Sequence, residues 1–434
     1  MLKNSSHYWL INAHVPTPLL VGAVVENAEE YAWVDLEIKD GIIASITPAD
    51  TMHDTSVAAV DLKRGQVWSC FVDVHTHLDK GHIWERSPNP TGTFQDALET
   101  VGSDRQHWNP EDVYRRMEFG LKCSYAHGTQ AIRTHLDSIG EQTQISFEVF
   151  RTLRQGWQDR ITLQAVSLLP LETFLTPEGE QIADIVAESG GVLGGVPRMH
   201  PDLDRQLDRV FELAKDRQLN LDFHTDESGN PHDITLRHVA AAALRHQFEG
   251  SILCGHCCSL AVQSPEAVDK TLSLVHEAQI SIVSLPMCNL FLQDRTPSSV
   301  EAKTPRWRGV TLLHELKQRG IPVAVASDNC RDPFYGFGDH DVLEVFTQAV
   351  RIAHLDAPYE DWCRTVTTTP ADLMGLPQLA RIGVGLPADL ILFKARYYSE
   401  LLARPQGDRI VLRSGRAIDA TLPDYAELDD LFSA

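Results

Sequence analysis

Residues 66–77 read QVWSCFVDVHTH, a near-continuous apolar run that ends in two histidines one residue apart. A strand of that kind is buried on both faces, as in a parallel sheet covered by helices. Further runs of the same texture follow it: QAIRTHLD (130–137), ITLQAVSLL (161–169), GGVLGGVP (190–197), LNLDFHTD (219–226), SILCGHC (251–257), ISIVSLP (280–286) and IPVAVASD (321–328). Amphipathic stretches such as EDVYRRMEFGLKCSYAHG (111–128) and LDRQLDRVFELAKDRQ (203–218) lie between them. Eight strand-like runs separated by helical patterns predict an α/β chain folded as a (β/α)8 TIM barrel over residues 67–382, rather than an open sheet.

The flanks have a different texture. VDLEIKDGIIASI (34–46) alternates apolar and polar residues about Asp40-Gly41, a hairpin signal, and RIVLRSGRAI (409–418) repeats it about Ser414-Gly415. Residues 1–66 together with 383–434 are therefore expected to form one small β-sandwich domain; two unrelated β decorations are the other arrangement the pattern allows.

Length and charge narrow the function. The chain has 434 residues, 43% of them hydrophobic, and a formal net charge of −22. So negative a body repels nucleic acid and anionic lipid, so neither is an expected partner. The eight cysteines show no evenly spaced framework, and a chain this long needs no disulfide staples. The N-terminal segment lacks the basic-then-apolar order of a signal peptide, and no apolar stretch approaches the roughly 20 residues of a membrane helix. The expectation is a cytoplasmic protein.

Polar residues gather where the apolar runs end, which in a barrel is the face that carries active sites. His75 and His77 sit at i and i+2 on one strand and face the same way. Alone, the pair equally describes two hydrogen-bonded structural imidazoles. With His224 and Asp328 at equivalent strand ends, three imidazoles and one carboxylate suit one divalent ion, zinc or iron. Glu227, three residues beyond His224, is placed to act as a general acid and base, or else as a helix N-terminal carboxylate. His256 is a candidate for charge stabilisation, or for a supporting hydrogen bond. His135 and Asp137 end another run without an assigned role. His82, His107, His127, His200, His246 and His314 are expected at the surface, and Cys257 and Cys258 as packing residues.

FVDVHTHLDK (71–80), LDFHTDES (221–228), GHC (255–257) and SDNCRDPFYGFGD (327–339), in this order, resemble the amidohydrolase superfamily and within it the cytosine deaminase-like branch. The resemblance spans essentially the whole chain. It implies a metal-dependent hydrolase acting on C–N bonds other than peptide bonds. By it, His75, His77, His224 and Asp328 hold one metal ion, Glu227 shuttles protons, His256 stabilises the transition state, and Asp328 also accepts a proton from water. LQAVSLLP and GVLGGVP contain no lysine, the residue that binuclear members carboxylate, so a single ion is expected. Leu171 stands where the cytosine enzymes carry glutamine, Asn329 where a second acidic residue is expected, and Phe334 where they carry tryptophan. These three are the candidate substrate-binding residues, and the first two argue against cytosine itself. The expected reaction is hydrolytic deamination of a cytosine-like cyclic amidine in a nitrogen heterocycle, releasing ammonia. The alternative is hydrolysis of a cyclic amide or of an N-alkylamino group on a triazine-like ring. The resemblance also implies a small-molecule heterocyclic substrate and self-association as a homo-oligomer.

Overall fold

Turn geometry sets the first sheet. Asp40 and Gly41 both take positive φ (51° and 86°), the backbone of the tight turn expected between strands. They join β2 (Tyr31–Lys39) to β3 (Ile42–Pro48), and β2 also pairs antiparallel with β1 (His7–Pro16). The short β4 (Ala59–Asp61) adds parallel to β1, for the order β3-β2-β1-β4. The computed structural model describes residues 5–22, 30–296, 301 and 303–432.

β5 (Val67–Ser69) leads into β6 (Phe71–Thr76), whose six residues are all buried. β6, β7 (Thr129–Asp137) and β8 (Thr162–Leu168) form one sheet in that order. β9 (Leu193–Gly195), β10 (Leu221–Thr225), β11 (Ile252–His256), β12 (Ser281–Ser284) and β13 (Val323–Val325) form another, in which every neighbouring pair is parallel. Isolated parallel bridges join Val166 to Val192, Pro170 to Val196 and Thr76 to Asp328. Each of the eight apolar runs thus carries one of these strands. The helical patterns between them become helices such as Pro110–Ala126 and Leu203–Arg217. The fold is α/β, with buried parallel strands and amphipathic helical connections.

β14 (Leu390–Leu392), β15 (Ile410–Arg413) and β16 (Arg416–Ala417) complete an antiparallel sheet with β5, ordered β16-β15-β14-β5. The β15–β16 turn is again a pair of positive-φ residues, Ser414 (45°) and Gly415 (68°).

The chain divides into two units. One comprises residues up to Val72 with Lys122–Ala131 and Asp341–Leu422, and the other Asp73–Leu121, Ile132–His340 and the chain from Pro423. These limits differ from the sequence expectation of 66/67 and 382/383. Helix Val342–Ala353 groups with the sheet-bearing unit because Phe346 packs edge-on against Trp68 of β5, with ring centres 5.6 Å apart. The C-terminal segment groups with the larger unit, where Asp430 pairs with Arg115 at 2.6 Å and Arg331 lies over the Tyr425 ring. Among the described residues no helix is long and apolar enough to cross a membrane.

Candidate active site

Strand β6 positions the first two imidazoles because its end is clamped to the residues following β13. Asp73 accepts hydrogen bonds from the amide and hydroxyl of Ser327. The Asp328 amide donates to the His75 carbonyl at 2.9 Å, and the Thr76 hydroxyl donates to the Asp328 carbonyl at 2.9 Å. Asp328 itself takes a left-handed backbone (φ 63°), as do Asp226, His256 and Cys257 at other strand ends. Non-glycine residues hold that conformation only where surrounding bonds over-determine it, a pattern concentrated at functional sites.

The result is a buried cluster. His77 Nε2 lies 3.1 Å from Asp328 Oδ1 and 3.3 Å from His224 Nε2, while His75 Nε2 is 3.5 Å from the same Asp328 oxygen. One ligand atom from each of the four residues falls within 4.8 Å of all the others. Four ligands held about 2.0–2.1 Å from a tetrahedral ion stand roughly 3.3 Å from one another, which is the spacing of the three closest contacts. Two of the imidazoles, His77 and His224, are held in the neutral form that ligation needs. Burial and the Lys80 cation lower His77 to about 4, and burial with the surrounding imidazoles holds His224 well below its ordinary value. Burial pushes Asp328 upward, but His256, His75 and His77 outweigh it and keep the carboxyl well below the usual range. The donor set fits a divalent cation.

Glu227 and His256 stand beside this cluster and share a partner. The Asn289 carboxamide donates to Glu227 Oε1 at 3.3 Å and to His256 Nδ1 at 3.0 Å, and the last two atoms are themselves 3.3 Å apart. An amide nitrogen can only donate, so Nδ1 of neutral His256 is the acceptor and its proton sits on Nε2. That Nε2 is buried with no hydrogen-bond partner among the described residues. Burial lowers His256 to about 3, against the pull of Asp328. Burial, followed by repulsion from Asp328, raises Glu227 well above the ordinary carboxyl range, opposed by Lys80. A carboxyl raised in this way is more readily protonated than an ordinary glutamate, which suits a proton shuttle.

A cavity of about 130 Å³ opens onto the cluster, reached by His77, His224, His256, Glu227 and Asp328. Its apolar wall includes Phe94, Leu98, Leu168, Val196 and Phe334. Asn329 and Phe334 line it, and one carboxylate sets both: Asp332 accepts from the Asn329 amide at 2.7 Å and from the Phe334 backbone amide at 2.8 Å. Leu171 does not reach the cavity. It is fully buried against Gly195, where an added Cβ would stand 2.7 Å from Leu171 Cδ2, and Leu168, Leu169 and Pro170 line the cavity from that segment instead.

Several groups in or beside the cavity are assigned no role from the sequence. Lys80 is buried, pairs with Asp137 at 3.3 Å and lies over the Phe334 ring at 5.0 Å; Asp137 also binds Arg105 at 2.7 Å. The His135 ring lies tilted by 35° against that of His75, centres 3.9 Å apart, and neither of its nitrogens has a hydrogen-bond partner among the described residues. Asn289 sits in an apolar helical turn and shows its role only in three dimensions. The expectation that His82 is exposed fails: it is 3% exposed, its amide bonded to the Cys330 carbonyl and its ring packed on Phe119. The burial of Cys257 and Cys258 agrees with a packing role.

Similarity to known proteins follows the same lines. The chain is 51% identical over 434 residues to a pterin deaminase of Rhizobium rhizogenes strain K84, covering 99% of this chain and 98% of the relative. It is 22% identical over 374 residues to the N-isopropylammelide isopropyl amidohydrolase of Pseudomonas sp. strain ADP, covering 83% and 87% of the two chains. The solved structure of 5-methylcytosine deaminase from Klebsiella pneumoniae superposes with a TM-score of 0.81 at 24% identity, over 96% of this chain and 98% of that one. Residues 119–416 match the Amidohydrolase family, and with a divalent-cation cluster on buried parallel strands the chain belongs to that family.

Proposed function

We propose that this chain is a hydrolytic deaminase of an amino-substituted nitrogen heterocycle, with a pterin as the substrate class. The observation that carries the reading is the convergence of Glu227 and the His256 Nε2 edge on a cavity floored by His77, His224 and Asp328. The 51% identity to a pterin deaminase supports the bicyclic ring over a lone pyrimidine. So does a second hollow of about 340 Å³ that shares Phe94, Val196, Arg198, His224 and Glu227 with the first, leaving room beyond a single ring. The wider architecture is a (β/α)8 barrel, a reading supported by the three parallel bridges between its sheets.

His75, His77, His224 and Asp328 would hold the ion, which supplies the Lewis acidity that brings the pKa of water toward about 7. Phe334 and Phe94, in edge contact with ring centres 5.6 Å apart, give the flat ring an apolar wall. Glu227 delivers a proton to the ring nitrogen next to the amino-bearing carbon, leaving that carbon electrophilic. Asp328 accepts a proton from the attacking water as its oxygen bonds to that carbon. The His256 Nε2 proton meets the negative charge that develops on this oxygen, while Asn289 holds the imidazole in the required tautomer. Asp328 passes the proton it took from water to Glu227, which delivers it to the amino group; the C–N bond breaks, the proton left on the new oxygen returns to Glu227, and the products are a ring carbonyl and ammonia.

The test is ammonia release by the metal-loaded enzyme from pterin, cytosine and an N-alkylamino-triazine. Ammonia from pterin at the highest kcat/KM supports the reading. Turnover confined to the triazine, with an alkylamine as product, overturns it in favour of the N-alkylamino reaction.

A further inference from the structure

We propose that His82, Cys330 and His340 form a second metal-ion site, separate from the candidate active site and suited to zinc or a chemically similar divalent cation. All three side chains are buried, and one ligand atom from each lies within 4.8 Å of the other two. The two imidazoles meet through their Nε2 atoms at 3.3 Å, the same distance that separates His77 from His224. That is the edge of a tetrahedron about an ion with nitrogen ligands at about 2.0–2.1 Å, and the Cys330 sulfur, within 4.8 Å of both imidazoles, supplies the third corner.

The surrounding backbone makes room for this cluster. A Cβ on Gly120 would stand 3.0 Å from His340 Nε2, so only glycine leaves the imidazole its place. The His82 amide is tied to the Cys330 carbonyl at 3.1 Å, which holds the first ligand beside the second. His82 Nδ1 is buried without a partner among the described residues, so the hydrogen bond between the imidazoles does not account for the ring's whole polar capacity. A hollow of about 430 Å³ bounded by His82, Trp84, Arg331 and Tyr425 gives an ion a path to His82. Two neutral imidazoles and one cysteine are a nitrogen–sulfur set that selects zinc-like ions over magnesium or calcium. On binding, the Cys330 thiol releases its proton to solvent and the sulfur takes the ion as thiolate, while the fourth position is left to water or an incoming ligand. The buried place of the cluster argues for a structural ion that ties the loop after β6 to the loop after β13.

The site is read by metal content and by spectrum, independently of turnover. Zinc-loaded, desalted enzyme should carry two equivalents per chain, and Cys330→Ser and His82→Gln should each carry one while retaining ammonia release. Cobalt(II)-loaded enzyme should show a thiolate-to-metal charge-transfer band in the near ultraviolet that is absent from Cys330→Ser and present in His224→Ala. Cys288 lies beside Glu227 and Asp328 of the candidate active site, so loss of the band in Cys330→Ser is what assigns it to this site. One equivalent in the unmodified protein, or a band that survives Cys330→Ser, overturns the proposal and leaves a hydrogen-bonded histidine pair.

Discussion

Glu227 and His256 are controlled by a residue that neither motif contains. Asn289 spends both protons of one amide group on them, so its loss should be felt in chemistry rather than in metal binding. Asn289→Leu, similar in volume, should lower kcat about 10–100-fold, the usual scale for a group that orients a functional side chain, with metal content unchanged. A fall in metal content of the same size would place Asn289 in ion binding instead. Glu227→Gln removes the proposed proton shuttle but keeps shape and hydrogen bonding, and should lose about 10²–10⁴ of kcat while metal content and unfolding midpoint stay put. Normal turnover in that variant would remove Glu227 from the mechanism. Residues of this kind differ in how legible they are. His75 and His77 announce themselves by the i, i+2 rule on a strand, and His224 and Asp328 by their place at strand ends. Asn289 lies 62 positions from Glu227 within an apolar turn, and nothing local marks it. Leu171 shows the opposite error. A position chosen by its distance past a proline shifts by a residue or two where the strand gives way to a 3-10 turn (Leu171–Leu175), and the side chain then faces the packing rather than the cavity.

Strand ends carry the site, and their geometry rests on carboxylates that never touch the cluster. Asp226, at φ 51°, accepts from the Thr235 amide at 2.6 Å, the Thr235 hydroxyl at 2.7 Å and the Leu236 amide at 3.1 Å. It therefore caps helix Thr235–Arg245 from nine residues away and fixes the backbone that precedes Glu227. Asp226→Ala should cost about 1–2 kcal/mol in chemical denaturation, the scale of a lost helix cap, and lower kcat as well. Asp226→Asn keeps one acceptor and the tolerance for positive φ, and should recover most of both. Unchanged stability in Asp226→Ala would show that water replaces the cap. Elements were the most legible scale of this chain: near-continuous apolar runs predict the buried strands, the period-3.6 pattern predicts the intervening helices, and both hairpin turns adopt the predicted backbone. The division into units was harder to read. Trp68 draws helix Val342–Ala353 to the sheets through a ring contact across 278 positions, which no composition shift records.

At the scale of the whole molecule, a net charge of −22 sets a background of self-repulsion that weakens as pH falls toward the isoelectric point near 5.2. One buried network runs against that trend. Arg86 bonds Asp104 through two nitrogens at 2.9 Å and Asp112 at 2.5 Å, joining helix Phe94–Asp104 to helix Pro110–Ala126. Burial pushes both carboxyls upward, but Arg86, with Ser87 and Trp108 on Asp104 and Arg116 on Asp112, brings them below 3.8. A carboxyl with a depressed folded pKa stabilises the fold above its unfolded value, and that contribution is lost as pH drops through the folded value. The network is therefore at full strength at neutral pH and fails below about pH 4. Arg86→Leu leaves two buried carboxyls with less compensation, at a cost of about 3 kcal/mol near neutrality. In that variant Asp112 keeps Arg116 while Asp104 loses its arginine, so burial raises the Asp104 pKa, and protonation of Asp104 on acidification relieves part of the penalty. The general charge repulsion is nearly common to both proteins and cancels in their difference. Urea unfolding of both from pH 7 to pH 4.5 should show a gap that is widest at pH 7 and narrows steadily toward acid. A gap independent of pH would assign the role of Arg86 to packing of its hydrocarbon stem rather than to its charge.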